Sequence, residues 1–364
     1  MLNAPLRLSI VIPTFNERSN VTELVSRLEA TLGATGWEAV FVDDDSPDDT
    51  AALVRAMAQS DRRVRCLQRI GRRGLASACI DGMLASAGSI IAVMDADLQH
   101  DEAILPTMLS AIEGGHADVV VGTRYADGGG TGTWARRRAT LSRIATAASR
   151  AVLTQRLSDP MSGFFMLRRS VLEATVRDLS GLGFKILLDI LTSGNHPLRV
   201  VEVPYKFRER LSGHSKLDGF VAWEYGMLLA HKLVGRWVPV RFFAYAIVGG
   251  FGVLIHMMAL ATALKTVHVS FVTAQSVATA TAMVCNFALN NALTYRDRRL
   301  KGRAWLRGLA TFMGVCGVGA VANVGIATYL FEGRTQWALA GLAGVLVGGV
   351  WNYAVTQSYT WRWR

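Results

Sequence analysis

The sequence predicts an α/β domain on a doubly wound, mostly parallel sheet, followed by an all-α membrane domain of four transmembrane helices. Three observations predict this. In the first part, short apolar strand-like runs alternate with helical segments, the pattern of a sheet covered on both faces. Acidic residues follow the ends of those runs, most densely in IIAVMDADLQHDE, residues 90–102. From about Val238 the chain changes to long apolar runs with charges only between them.

Length and composition set the frame. The chain has 364 residues, enough for two domains. Apolar residues make up 51%, and mean hydropathy is +0.27, high for a soluble enzyme. The expected division is a catalytic-type domain at 1–218, an interfacial segment at 219–237 and a membrane domain at 238–364. Residues 1–13 lead directly into a strand-like segment, so no secretory signal is expected there. The net charge of +11 fits nucleic acid or an anionic membrane surface. Arg296, Arg298, Arg299, Lys301, Arg303 and Arg307, then Arg362 and Arg364, lie beside the apolar runs, which favours the membrane and excludes nucleic acid as the expected partner. The four cysteines show no metal or redox spacing and read as reduced packing residues.

Taken in order, LSIVIPTFNE reads as a strand ending at Pro13, with a helix from about Asn20. WEAVFVDDDSPDDT is a second strand ending in acids and a Ser-Pro turn, and VRCLQ a short third. IGRRG leads into a helix from Leu75 to Ala87, and the fourth and fifth strands are Ile90 to Met94 and Asp118 to Gly122. Ligands bind such sheets at the carboxyl ends of strands. Glu17, the run 43–45, Asp95 and Asp97 all follow strand ends and therefore gather on one edge.

No GxGxxG follows the first strand and no GxxxxGK[ST] occurs, so phosphate must be neutralised by other means. A strand end followed by a helix cap accounts for one of the acids after Met94. It accounts poorly for Asp95, Asp97 and Gln99 together, whereas a hard divalent cation bound by carboxylate and carboxamide oxygens uses all three.

In the second part, runs at about 239–263, 270–293, 308–331 and 336–359 are each long enough to cross a bilayer, which takes about 20 apolar residues. Lys and Arg concentrate before the first run, in the loop 295–307 and in the tail, and are sparse in the other two loops. That asymmetry puts both termini, the first domain and the middle loop in the cytoplasm. Trp361 and Trp363 suit the aromatic belt at the membrane interface. The two hairpins match at an offset of 66: NFALNNALTYR lies over NYAVTQSYTWR, Arg241 over Arg307 and Asn286 over Asn352. Both copies start in the cytoplasm, as in a parallel repeat. Asn286, Asn290 and Asn291 are unusual in a span and read better as interhelical hydrogen-bonding groups than as a transport site. Residues 219–237 combine aromatic side chains with Lys232 and Arg236, as an interfacial helix or a linker helix would.

VIPTFNE, VDDDSPDDT, MDADLQH, GTRY, SGFFMLRR and SGHSKL occur in this order. Together they resemble the family 2 glycosyltransferases of GT-A fold, nearest the group of dolichol-phosphate mannose synthase and related polyprenyl-phosphate sugar transferases. The resemblance covers nearly all of 1–220, and the four-span part is similar to the GtrA-like membrane domain. It implies that Pro13, Phe15 and Glu17 line a nucleotide pocket, with Val42 and Asp44 against base and ribose. It implies that Asp95, Ala96 and Asp97 meet the diphosphate, that Asp95, Asp97 and Gln99 hold Mg²⁺ or Mn²⁺, and that Arg210 and Lys216 close over the donor. Arg124, Arg138 and Ser142 match acceptor-phosphate contacts. Phe15 stands where Tyr is usual, and Asp45 where Gly or Asn is usual.

The implied reaction transfers mannose from a nucleotide-sugar donor, GDP-mannose, to a polyprenyl monophosphate, with inversion at the anomeric carbon. UDP-glucose is the alternative donor. The acceptor is already an anion, so no catalytic histidine is required, and His100 and His214 read as local contacts. Asp97, Arg210 and Lys216 would carry the rate by stabilising charge on the leaving group. Arg136 and Arg137 read equally as part of that basic cluster or as a solvated run. A processive polysaccharide synthase would bring a QxxRW motif; Arg236-Trp237 is present, but position 233 is Leu. A sugar-lipid transporter would not need the acids of the first domain.

Overall fold

The computed structural model describes residues 6–126, 130, 149, 153, 155–181, 185–194, 197–208, 226, 228–229, 240–265, 271–295, 298–332 and 337–361. Two compact units divide the chain, Met1–Leu233 and Val234–Arg364.

The first unit runs β1 (Leu8–Thr14), α1 (Arg18–Leu32), β2 (Trp37–Asp43), α2 (Thr50–Ser60), β3 (Val64–Gln68), α3 (Leu75–Ala85), β4 (Ile90–Val93), α4 (Leu105–Glu113), β5 (Val119–Thr123), β6 (Phe165–Arg168), α5 (Arg169–Thr175), α6 (Ile186–Thr192) and β7 (Val200–Pro204). The sheet order is β3-β2-β1-β4-β6-β5-β7. β1 pairs in parallel with β2 and β4, β2 with β3, and β5 with β7. β6 is antiparallel to both its neighbours, so the sheet is mixed around that strand. β6 and β7 are additions to the five strands the sequence predicts.

Alternate residues of the buried strands serve two cores, as a period of 2 requires. Leu8, Ile10 and Ile12 pack with Val21, Leu24, Leu28, Met108 and Ile112 on one face. Val11, Val40 and Val42 pack with Cys79, Met83, Leu172 and Leu187 on the other. Burying each such aliphatic side chain contributes about 1.5–3 kcal/mol, which explains why β1 reads as a nearly unbroken apolar run. The chain leaves β1 toward β2 and β3, then returns to place β4 on the other side of β1. The strand order therefore reverses between the carboxyl ends of β1 and β4, the place where open α/β sheets take their ligands.

The second unit consists of α7 (Val240–Lys265), α8 (Phe271–Leu289, continued by a π-helical turn Asn290–Thr294), α9 (Arg303–Glu332) and α10 (Trp337–Tyr359). These helices coincide with the four apolar runs. Among the described residues one helix, Phe242–Ala263, is long and apolar enough to cross a membrane. α7 packs along α8, and α9 along α10. Gly252 of α7 lies against the Asn286 side chain of α8, and Gly319 of α9 against that of Asn352 of α10; a Cβ at either glycine would collide with the asparagine. The two asparagines are the pair aligned by the 66-residue offset.

Two expectations need correction here. Trp361 does not lie in an interfacial belt: it is fully buried in an aromatic cluster with Phe287, Tyr295 and Phe312. Inside the cluster the indole stacks on Tyr295 and donates its N–H to Asn291 Oδ1 at 3.2 Å, so its polar edge is satisfied without water. Of the span asparagines, Asn291 does link elements, accepting also from Leu300 N at 2.8 Å. Asn290 instead donates to the Asn286 carbonyl of its own helix at 3.0 Å.

Candidate active site

Three strand ends build the site. β1 ends at Thr14 and is followed by Phe15, Asn16 and Glu17; Asn16 takes a left-handed φ of 59°. β2 ends at Asp43 and is followed by Asp44 and Asp45, with Asp45 at φ 58°. The two loops are laced together: Asn16 N donates to Ser46 Oγ at 3.0 Å, Glu17 N to Thr50 Oγ1 at 3.2 Å, and Arg18 N to Asp48 Oδ2 at 3.2 Å. Asp43 is consumed in this lacing, accepting from Ser46 N at 2.9 Å.

Asp44 is held differently. It accepts from Gly74 N at 2.7 Å and from Arg69 Nη1 at 2.8 Å, with both side chains nearly buried. Burial pushes its carboxyl above the ordinary carboxylate range, against the lowering pull of Gly74 and Arg69. Arg69 also reaches Asp81 at 3.2 Å. Arg73 places its guanidinium 4.2 Å from the centre of the Phe15 ring, so the aromatic position after β1 is capped by a cation. Val42 is fully buried in the core, and its carbonyl accepts from Thr14 Oγ1 at 3.3 Å.

β4 delivers the third element, Asp95 to His100. Ala96 and Leu98 are buried in the core and anchor the turn, with Leu98 at φ 61°. Asp95 is 40% exposed, while Asp97 accepts from Gln99 N at 3.2 Å. Gln99 donates through Nε2 to the Arg208 carbonyl at 3.1 Å, which commits its nitrogen and leaves the oxygen as the end suited to a cation. His100 is buried, and desolvation pushes its ring down to about 4, so it is neutral near pH 7.

Among the described residues no three His, Cys, Asp or Glu side chains converge as a metal-binding group. The local donors are two carboxylates and one carboxamide. That set suits Mg²⁺ or Mn²⁺, which keep several waters and complete their shell with substrate phosphate oxygens. Space beside one of the carboxylates is tight: a Cβ on Gly163 would lie 3.3 Å from Asp95 Oδ2, close enough that the carboxylate would have to shift by a few tenths of an ångström.

The sheet thus brings Pro13, Phe15, Glu17, Asp44, Asp95, Ala96, Asp97 and Gln99 to the carboxyl ends of adjacent strands. Arg138, Ser142, Arg210 and Lys216 lie outside the described residues. Arg124 is described, and its guanidinium is engaged by Asp159 through Nε at 2.7 Å and Nη2 at 3.0 Å. Burial alone would lower the Arg124 pKa, but the Asp159 pair reverses this and raises it. The pair is electrically balanced, so Arg124 carries less net attraction for a phosphate than its charge alone implies.

Three residues escaped the sequence reading. Asp159 lies in DPMSGFF beside a recognised motif, and a buried acid is the partner an arginine at a strand end needs. Gly163 lies in that same motif, and its role follows only from β6 running beside β4. Arg208 gives no local signal: its N–H donates to the Gln99 carbonyl at 3.0 Å, and its guanidinium reaches Asp101 and Glu102, each at 2.6 Å.

Comparison with known proteins adds to this geometry. The model of "Glycosyl transferase family 2" matches residues 9–176. That of "GtrA/DPMS, transmembrane domain" matches 244–361. The chain is similar to a dolichol-phosphate mannosyltransferase of Pyrococcus furiosus, 33% identical across 98% of this chain and 99% of the relative. A dolichol-phosphate mannosyltransferase of Saccharomyces cerevisiae is 37% identical over 60% of this chain and 83% of its own length. A polyprenol monophosphomannose synthase of Mycolicibacterium smegmatis is 36% identical over 58% and 82%.

Proposed function

Because the chain belongs to the dolichol-phosphate mannosyltransferase family, a family 2 glycosyltransferase unit followed by a GtrA-type membrane domain, we propose that it transfers mannose from GDP-mannose to a polyprenyl monophosphate. The observation that carries this reading is the end-to-end match to the Pyrococcus furiosus relative, which covers 98% of this chain and so spans both of its parts.

The chemistry follows from the charge of the reactants. The acceptor phosphate oxygen is a nucleophile without help from a base, so the chain's task is to hold it in line with the anomeric carbon and exclude water. One displacement inverts that carbon. The leaving diphosphate gains negative charge as the bond breaks; Asp95, Asp97 and Gln99 would hold a divalent cation there, which would supply the offsetting charge. Phe15, Glu17 and Asp44 hold the nucleoside in this reading. Arg210 and Lys216 act on the donor, and Arg138 and Ser142, with Arg124, on the acceptor phosphate. Arg138 and Ser142 are four positions apart, one turn if helical, a spacing that lets both reach one group.

In the same proposal all four helices of the second unit cross the membrane, with both termini, the catalytic unit and the loop 295–307 on the cytoplasmic side. The concentration of Lys and Arg in 295–307 supports this orientation. The membrane unit then brings a lipid acceptor to a site served by soluble donors.

The donor is tested by incubating the purified chain, Mg²⁺ and a short polyprenyl phosphate with GDP-mannose, UDP-glucose and other nucleotide sugars in turn. Product mass is the readout. A single hexose added from GDP-mannose and from no other donor is expected. Transfer from UDP-glucose instead would replace the donor, and a ladder of hexose masses would replace the reaction class.

A further inference from the structure

The mechanism above uses Asp95 as a cation ligand, yet Asp95 lies at a strand end with 40% of its side chain exposed. An exposed carboxylate has several rotamers of similar energy, and a ligand that must find one of them binds a cation less tightly. The structure holds a device that removes this freedom. We propose that His100 is a positioning residue that, together with Gly163, aims the Asp95 carboxylate at the divalent cation; this rests on the cation site assigned above.

β4 and β6 run antiparallel with Val93 opposite Phe165, and continuing that register two steps places Asp95 opposite Gly163. Gly163 has no Cβ, and the Asp95 carboxylate occupies the space a Cβ would limit: it would stand 3.3 Å from Oδ2 and 3.7 Å from Oδ1. His100 closes the other side. Its Nδ1 accepts the main-chain N–H of Asp95 at 3.1 Å. With Nδ1 so occupied, the neutral ring carries its proton on Nε2, 3.8 Å from Asp95 Oδ2. That distance is too long for a hydrogen bond, but it sets a positive edge beside the oxygen.

The ring itself cannot turn. It stacks on Phe164 with centroids 5.1 Å apart and planes at 15°, and Tyr205 and Phe207 each meet it edge-on at 5.9 Å. Phe164 directly follows Gly163, so one short segment supplies both the space for the carboxylate and the platform for the imidazole. A histidine kept only for packing would need neither the Nδ1 contact nor the facing glycine. Outer groups that orient metal ligands commonly change affinity by about 10–100-fold, and here the hydrogen bond holds the main chain of the ligand residue, not its carboxylate.

The test measures Mn²⁺ binding to the purified full chain by electron paramagnetic resonance, with GDP present and no turnover involved. His100→Phe keeps the stacking and loses both nitrogens; His100→Asn restores an acceptor near the Nδ1 position. The expected result is Mn²⁺ affinity weakened about tenfold or more in His100→Phe, partly recovered in His100→Asn, with unchanged circular dichroism. Gly163→Ala approaches the same carboxylate from the opposite side and is expected to weaken Mn²⁺ similarly, which keeps the test open should His100→Phe fail to fold. Asp97→Ala separates the premises. Loss in Asp97→Ala with wild-type affinity in His100→Phe overturns the role of His100; should that variant not fold, wild-type affinity in both His100→Asn and Gly163→Ala overturns the positioning of Asp95 and leaves the cation site standing. Wild-type affinity in Asp97→Ala as well overturns the cation site and the proposal with it.

Discussion

Tyr295 and Trp361 stack face to face, with ring centroids 4.0 Å apart and planes within 9°. They are equivalent residues of the two hairpins, 66 positions apart, so the repeat seen in sequence meets itself at this contact. Arg298 Nη1 donates to the Trp361 carbonyl at 3.1 Å and ties the loop after α8 to the end of α10. Trp361→Ala is therefore expected to destabilise the membrane unit by about 3–5 kcal/mol, as for a buried tryptophan elsewhere. Trp361→Phe should recover much of that. Thermal unfolding in detergent measures both; a wild-type midpoint for Trp361→Ala would contradict the buried position.

The glycine–asparagine seams make a compensation prediction. Gly252→Ala forces the Asn286 side chain to move, although alanine is the better helix former. The single substitution should destabilise the α7–α8 pair, and Gly252→Ala with Asn286→Ala should restore it. The double-mutant cycle is expected to give a coupling of about 1 kcal/mol or more. Additive effects would mean that the two positions do not touch.

His100 makes stability depend on pH with a definite sign. Its ring is held near 4 in the fold against an ordinary value of 6.5. Between those values the unfolded chain binds the extra proton, so stability falls as pH drops from about 6.5 to about 4, by up to about 3 kcal/mol. Above 6.5 the group contributes no slope. His100→Asn should flatten this part of the profile, measured as unfolding midpoint against pH. An identical slope in wild type and variant would assign the acid sensitivity to other groups.

Arg208 tests the support of the cation loop from its other end. Arg208→Ala removes ion pairs that are about one-third exposed on the arginine side, worth roughly 0–1 kcal/mol to stability. The main-chain pairing of Arg208 with Gln99 remains. The expected outcome is a near-normal melting temperature with a several-fold rise in the Mg²⁺ concentration needed for half-maximal activity. A large loss of stability with unchanged Mg²⁺ dependence would make Arg208 a folding residue only.

Much of this was legible in the chain because β1, β2 and β4 are buried on both faces and end abruptly in polar residues. A continuous apolar run followed by acids is hard to place in any other way, and on that basis Asp44, Asp95 and Asp97 were expected at the strand ends where the fold puts them. The helices of the second unit were legible from length alone. β6 was not, because FMLR is too short to carry a period and its direction depends on a partner 72 positions upstream, Val93 opposite Phe165. The same reason hid Gly163 and Asp159, whose roles arise only across strands. Trp361 was expected to face outward and does not, because a residue type at a helix end does not say whether the side chain turns inward.

The central claim is that one sugar is passed to a lipid monophosphate in a single displacement. Its most direct measurement follows GDP release and lipid product together in the purified chain with GDP-mannose, Mg²⁺ and polyprenyl phosphate, resolving the anomeric linkage by nuclear magnetic resonance. The account predicts one GDP per polyprenyl-phosphate mannose, a β linkage from the α-configured donor, and no product with free polyprenol or with Asp97→Ala. An α-linked product, or equal transfer to the unphosphorylated alcohol, would contradict it.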